Sequence, residues 1–124
     1  MAKRILIADD EANIVIALEF LLQKSGYEVK VVANGEEALG QLESFGPDLV
    51  LLDVMMPQVS GYEVCQRMRS RPEWRRIKIV VLSAKGREVE VSKGISLGAD
   101  LYVTKPFSNT ELVGTINDLL SRDG

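Results

Sequence analysis

The chain is predicted to fold as an α/β sandwich in which a parallel sheet is covered by helices on both faces. Across 124 residues, apolar runs alternate with helical patterns five times. The first, third and fourth runs are near-continuous Val, Ile and Leu, as expected of strands buried on both sides. Two runs also stop at acids: Ile5-Leu6-Ile7-Ala8 at Asp9 and Asp10, and Leu49-Val50-Leu51-Leu52 at Asp53. A parallel sheet brings such ends together at its carboxyl edge, where open α/β folds place their ligand sites.

Strands are predicted over residues 3–8, 28–32, 48–53, 77–83 and 100–104. Between the first two, Ile14, Leu18, Leu21 and Leu22 form a stripe at helical spacing, and Gly26 supplies a C-terminal stop. Asn34 followed by Glu37, Ser60 by Glu63 and Ser108 by Glu111 each read as a helix cap with its reciprocal acid three residues on. Pro72 ends the third helix near Arg71 and leaves 72–76 as a loop, with Trp74 packed or half-exposed. The fourth connection, 87–97, is read as a helix from its length. There Val89 and Val91 alternate with charges and Gly94 interrupts the pattern, so this helix is expected to be less rigid than its neighbours. Leu112, Ile116, Leu119 and Leu120 give the last helix its buried stripe. Right-handed crossovers would produce three layers with the first strand near the centre.

This length fits one domain, residues 1–124, able to bury a core without disulfides or structural metals. Apolar residues at 46% and charged residues at 27% match an ordinary globular protein rather than a disordered one. The net charge of −3, with both signs interspersed, gives no basic face for direct nucleic-acid binding. Arg67, Arg69 and Arg71, followed by Arg75 and Arg76, read as a solvated helix end and loop in preference to a recognition patch. Cys65, the single cysteine, reads as a small apolar side chain on a helix, and its lack of an internal partner fits a reducing compartment. The first apolar run is too short for a signal peptide or membrane span, so the expected location is cytoplasmic. Histidine is absent, which excludes His-based zinc sites, Ser-His or Cys-His catalysis, and a phosphohistidine on this chain.

Phosphate-binding α/β folds commonly place a glycine-rich turn after the first strand. Here that turn reads Ala8-Asp9-Asp10-Glu11-Ala12-Asn13. Its carboxylates would repel a phosphate. At ~4 Å and an effective dielectric near 20, two such charges repel by about 4 kcal/mol, so the cluster calls for a cation, a proton or a lysine. All-oxygen ligands suit Mg²⁺ or a similar hard ion. Helix capping is the alternative for Asp9 and Asp10 taken alone. The fifth strand's exit, Thr104-Lys105-Pro106-Phe107, can send an ammonium into the cluster, with a cis peptide before Pro106 as one way to fix its direction. Ser83 ends the fourth strand at the same edge, as a hydroxyl donor or as a cap or turn residue. Metal, carboxylate, hydroxyl and lysine together form a phosphoryl-transfer set. Asp53 is the carboxylate placed to attack phosphorus, while Asp9 and Asp10 hold the ion.

With these residues in place the chain resembles a receiver domain of bacterial two-component response regulators, of the chemotaxis-regulator-like kind. The resemblance covers nearly the whole sequence: Asp9-Asp10, Asp53 in Leu51-Leu52-Asp53-Val54-Met55-Met56-Pro57, Gly61, Ser83-Ala84, Leu97-Gly98-Ala99-Asp100 and Lys105-Pro106-Phe107. It implies a flavodoxin-like sheet of order 2-1-3-4-5 with Asp53 as phosphoacceptor. It implies Mg²⁺ held by Asp10, Asp53 and the backbone carbonyl of Met55, with Asp9 acting mainly through water. Lys105, Ser83 and the Ala84 backbone N–H would contact the phosphoryl oxygens.

The donor implied is a phosphohistidine on a sensor histidine kinase or phosphotransfer protein. Ser83 and Tyr102 would switch the surface of the fourth helix, fifth strand and fifth helix, with a static half-buried Tyr102 as the alternative. A downstream effector domain or protein and a phosphorylation-dependent homodimer through that surface are further implications, with no membrane partner. Serine at position 83 departs from the family's more usual threonine; the lost methyl leaves the hydroxyl freer to rotate. Met55 and Lys85 occupy positions that tune acyl-phosphate hydrolysis in similar domains, and their bulk is expected to favour a persistent phosphorylated state.

The rival from another class is a metal-dependent phosphohydrolase with an aspartyl-phosphate intermediate. Enzymes similar to haloacid dehalogenases place an acid/base Asp two residues after the nucleophile, and here that position is Met55. A receiver-like module that binds partners without phosphorylation would have lost the acceptor, metal acids or lysine, all of which are present. A flavin-binding flavodoxin would need a Ser/Thr/Gly-rich loop after the first strand.

Overall fold

The computed structural model describes residues 2–54, 59–83, 98–105 and 107–121. In chain order these form β1 (Arg4–Ala8), α1 (Ala12–Lys24), β2 (Glu28–Val32), α2 (Gly35–Ser44), β3 (Leu49–Asp53), α3 (Gly61–Ser70), a 3-10 turn (Pro72–Trp74), β4 (Lys78–Ser83), β5 (Leu101–Thr104) and α4 (Asn109–Ser121). The helix predicted over 87–97 lies outside the described residues. All strand pairs are parallel, in the order β2-β1-β3-β4-β5, so the expected flavodoxin-like arrangement is present.

Two-residue alternation along the strands feeds two cores. Leu6, Val50, Leu52, Ile79 and Val81 point to one face, against Ala38 and Leu42 of α2 and Val64, Cys65 and Met68 of α3. Ile5, Ile7, Leu49, Leu51, Val80 and Leu82 point to the other, against Val15, Leu18 and Leu22 of α1 and Leu112, Ile116 and Leu120 of α4. Strands sandwiched in this way must be apolar at every position, which is why β1, β3 and β4 read as unbroken aliphatic runs.

Four strands begin one residue later than predicted, because the residues before them make other bonds. Asp48 Oδ2 accepts from the Arg4 N–H at 2.8 Å, and Asp100 Oδ2 accepts from the Ile79 N–H at 2.8 Å. The predicted stripe of α1 is rotated slightly: Val15, Leu18 and Leu22 are buried, whereas Ile14 and Leu21 are only partly covered. On its outer face Ile16 and Phe20 remain 66% and 64% exposed. Gly26, at φ 98°, ends α1 as predicted: its N–H donates to Gln23 O and the Tyr27 N–H to Leu22 O, the paired bonds of a Schellman motif.

Asn34, Ser60 and Ser108 each accept the backbone N–H three residues on, at 2.8, 3.3 and 3.2 Å. Among the described residues the reciprocal acid is seen engaged at α2, where Glu37 Oε1 takes the Ala33 N–H; Glu63 pairs with Arg67 at 2.6 Å. Arg71 is extended ahead of Pro72, and its guanidinium lies 4.4 Å from the ring centroid of the buried Trp74.

Arg69, at the end of α3, fixes the entry to β5. It donates to Gly98 O and Ile77 O at 2.8 Å each and to Asp100 Oδ2 at 2.9 Å. Gly98 sits at φ +102°, and a Cβ there would come within 2.5 Å of Arg69 Cγ, so the clamp requires glycine.

Candidate metal and phosphoryl-transfer site

β1, β3, β4 and β5 deliver Asp9, Asp53, Ser83 and Lys105 to the carboxyl edge of the sheet. Asp9, Asp10 and Asp53 each offer a carboxylate oxygen, and these oxygens lie within 4.8 Å of one another. Asp9 and Asp53 are buried, at 2% and 4% exposure, while Asp10 is exposed. The approach of α3 to the end of β3 depends on Gly61: a Cβ there would lie 2.4 Å from Asp53 O and 3.1 Å from Val54 Cα.

Lys105 enters this cluster. Its Nζ lies 3.1 Å from Asp9 Oδ2, 3.5 Å from Asp53 Oδ2 and 2.5 Å from Glu11 Oε1, and its side chain is only 8% exposed. Its path is set by the backbone, since the Lys105 N–H donates to Ser83 O at 2.6 Å and extends the β4–β5 ladder by one bond. Burial pushes the Lys105 ammonium down. The hydrogen bond to Glu11 and the charges of Asp9 and Asp53 outweigh that and leave its pKa raised.

Capping does not account for the acids. The N-cap residue of α1 is Glu11, with no side-chain cap bond. Asp9 Oδ1 accepts the Glu11 N–H at 2.9 Å and shapes the turn, but Asp9 Oδ2 is buried without a hydrogen bond and faces Lys105 as an ion pair. One ammonium among the carboxylates of Asp9, Asp10, Glu11 and Asp53 leaves the cluster short of positive charge. A hard divalent cation fits this donor set: every ligand atom is oxygen, and the buried Asp9 Oδ2 has an unused lone pair.

Ser83 is 3% exposed and stands beside Thr104 in the β4–β5 register. Tyr102 pairs with Val81 and is half-buried against the core on the α2/α3 face. Met55, Ala84, Lys85 and the peptide bond before Pro106 lie outside the described residues. Glu11 joins the site although the sequence pattern assigns it no role. Its signal was an acid at a helix start two residues after Asp9. Trp74 belongs to the opposite edge of the sheet, by the start of β4, and does not join the site. Among the described residues no helix is long and apolar enough to cross a membrane.

A family model described as the response regulator receiver domain matches residues 5–117. The phosphate regulon transcriptional regulatory protein PhoB of Rhizobium meliloti is 42% identical over 98% of this chain and 54% of its own length. The alkaline phosphatase synthesis transcriptional regulatory protein PhoP of Bacillus subtilis is 43% identical over 98% of this chain and 50% of its own. The chain thus spans about half the length of the curated relatives it matches. Among solved structures, a putative response regulator from Chloroflexus aurantiacus superposes with a TM-score of 0.91 at 36% identity, covering 98% of this chain and 99% of that one. The signal receiver domain of a histidine kinase from Syntrophus aciditrophicus gives 0.89 at 33% identity, with 97% and 91% covered. On its sequence, strand order and strand-end residues alike, the chain belongs to the receiver domains of two-component response regulators.

Proposed function

We propose that Asp53 of this receiver domain accepts a phosphoryl group from a phosphohistidine on a sensor histidine kinase or phosphotransfer protein. An Asp53 carboxylate oxygen attacks phosphorus, the P–N bond to the donor imidazole breaks, and an acyl phosphate forms while the imidazole keeps the electron pair and takes a proton from water. The observation that carries this reading is the convergence of Asp9, Asp10, Asp53 and Lys105 at one edge of the sheet.

Each residue has a physical task. Asp9 and Asp10 with Asp53 would hold Mg²⁺, joined by the backbone carbonyl of Met55; the ion, when bound, offsets the charge of the phosphoryl oxygens. Lys105 already stands between Asp9 and Asp53, so its ammonium is placed to meet a phosphoryl oxygen on Asp53. The Ser83 hydroxyl, buried at the same edge, and the Ala84 N–H would donate to the remaining oxygens. Phosphorylation adds about −1.5 to −2 charges, enough to bias a two-state element, and Ser83 and Tyr102 form that element, altering the surface of the segment over 87–97, β5 and α4.

The domain then acts as a signalling phosphoacceptor, with only self-catalysed transfer and slow autodephosphorylation. By resemblance to similar domains, Met55 and Lys85 are expected to slow attack of water on the acyl phosphate. Ile16 and Phe20, exposed one turn apart on α1, give a donor protein an apolar contact on the helix that starts beside the site. A cytoplasmic setting, a downstream effector domain or protein, and a homodimer formed on phosphorylation complete the reading, without direct contact to nucleic acid or membrane.

Intact-protein mass spectrometry after incubation with acetyl phosphate and Mg²⁺ tests it. The wild type should gain the mass of one phosphoryl group, and Asp53→Asn and metal-free samples none. Equal labelling of Asp53→Asn would refute the acceptor assignment.

A further inference from the structure

At the amino edge of the sheet, opposite Asp53, lies an open cleft of about 550 Å³ lined by Lys3, Arg75, Arg76, Lys78, Asp48 and Asp100 together with Pro47 and Ile77. Lys3 precedes β1, Arg75 and Arg76 follow the 3-10 turn, and Lys78 opens β4, so residues far apart in sequence place four cationic side chains around one space. Among the described residues the side chains of Lys3, Arg75 and Arg76 make no ion pair and are exposed. The two acids in the lining are engaged elsewhere. Asp48 Oδ2 accepts the Arg4 N–H, and Asp100 Oδ2 accepts both the Ile79 N–H and Arg69 at 2.8 and 2.9 Å. The cleft therefore presents net positive charge on a chain whose overall charge is −3.

We propose that this cleft binds a small anion carrying adjacent phosphate groups, gripped by the Arg75 and Arg76 guanidinium groups with Lys3 and Lys78 beside them. Guanidinium forks match phosphate oxygens in pairs, and the volume lies within the range of about 300–1,000 Å³ typical of small-molecule sites. A docked acidic peptide would need a sheet edge or an apolar groove, whereas this space lies over the ends of the central strands and has only Pro47 and Ile77 as apolar lining. A nucleic-acid duplex would need a wider basic face than a chain of net charge −3 provides. The proposal does not depend on phosphorylation of Asp53.

The test is a titration of the whole chain with pyrophosphate in chelator-free, metal-stripped buffer at about 150 mM NaCl, where weak surface attraction is screened, followed by calorimetry and amide chemical shifts. The expected result is saturable one-to-one binding, at least about tenfold tighter than inorganic phosphate, with shifts concentrated at residues 3 and 75–78. Combining Arg75→Ala with Arg76→Ala should weaken it by about tenfold or more, with circular dichroism unchanged because both side chains are exposed. Arg76→Ala alone should weaken it in the same direction. Absence of saturation, shifts confined to residues 9–11 and 105, or unchanged affinity in the double variant would each overturn the proposal. So would tighter binding of an oligoglutamate peptide, which would give the cleft to an acidic polypeptide.

Discussion

Lys105 is the residue on which the charge balance of the site turns, because its ammonium is the one cation seen within reach of both Asp9 and Asp53 among the described residues. Lys105→Met should slow labelling by acetyl phosphate by about 10²-fold, the usual loss when one preorganised electrostatic partner is removed. The folded pKa is raised, so the stabilising contribution is complete below the unfolded lysine value and is lost as pH climbs through the folded one. The stability difference between wild type and Lys105→Met, from urea unfolding, should be flat up to about pH 10 and shrink above it. Cys65 behaves as the sequence suggested, a small apolar side chain at 0% exposure. Burial pushes its thiol up to about 11, with Arg69 opposing and Asp100 adding. The native thiol should therefore resist a disulfide reagent at about pH 8 and react once urea unfolds the chain. Its contribution to stability is complete below the ordinary value of 9.0 and is lost as pH rises from there toward 11.

Elements were legible in the sequence where their signals are local. The caps at Asn34, Ser60 and Ser108 and the stop at Gly26 depend on a few neighbouring residues, and all four act where predicted. Edges and rotations were less legible, because side chains from distant strands decide them. Asp48 and Asp100 leave their predicted strands to bond Arg4 and Ile79 across the sheet, and α1 turns Val15 inward rather than Ile14. The approach of α3 to β3 likewise belongs to tertiary structure. Gly61→Ala would place a methyl 2.4 Å from Asp53 O, so the helix start must shift. Thermal unfolding should show a loss of about 1–3 kcal/mol, the usual cost of overpacking, with slower phosphorylation at saturating Mg²⁺ because the Asp53 backbone moves with it. A fully stable, fully active variant would mean that the contact is not needed.

At the scale of the molecule, the parallel sheet separates two regions of opposite charge, acids at its carboxyl edge and cations at its amino edge. The acidic end was readable because each residue closes an apolar run, so the strand pattern alone brings Asp9, Asp53, Ser83 and Lys105 together. The pairing of Lys105 with Glu11, 94 residues away, was not, since it depends on where a flexible side chain ends. The basic end was hidden for a similar reason: Lys3 and Arg76 share a space only after β1, β3 and β4 align. Phosphoacceptor function requires the acidic end to accommodate a divalent cation and a phosphoryl group together. A crystal structure of the chain soaked with Mg²⁺ and beryllofluoride measures this directly. Beryllofluoride is expected on the Asp53 carboxylate, with Mg²⁺ beside Asp10 and Lys105 against a fluoride. An empty corner with the three acids turned apart would contradict it.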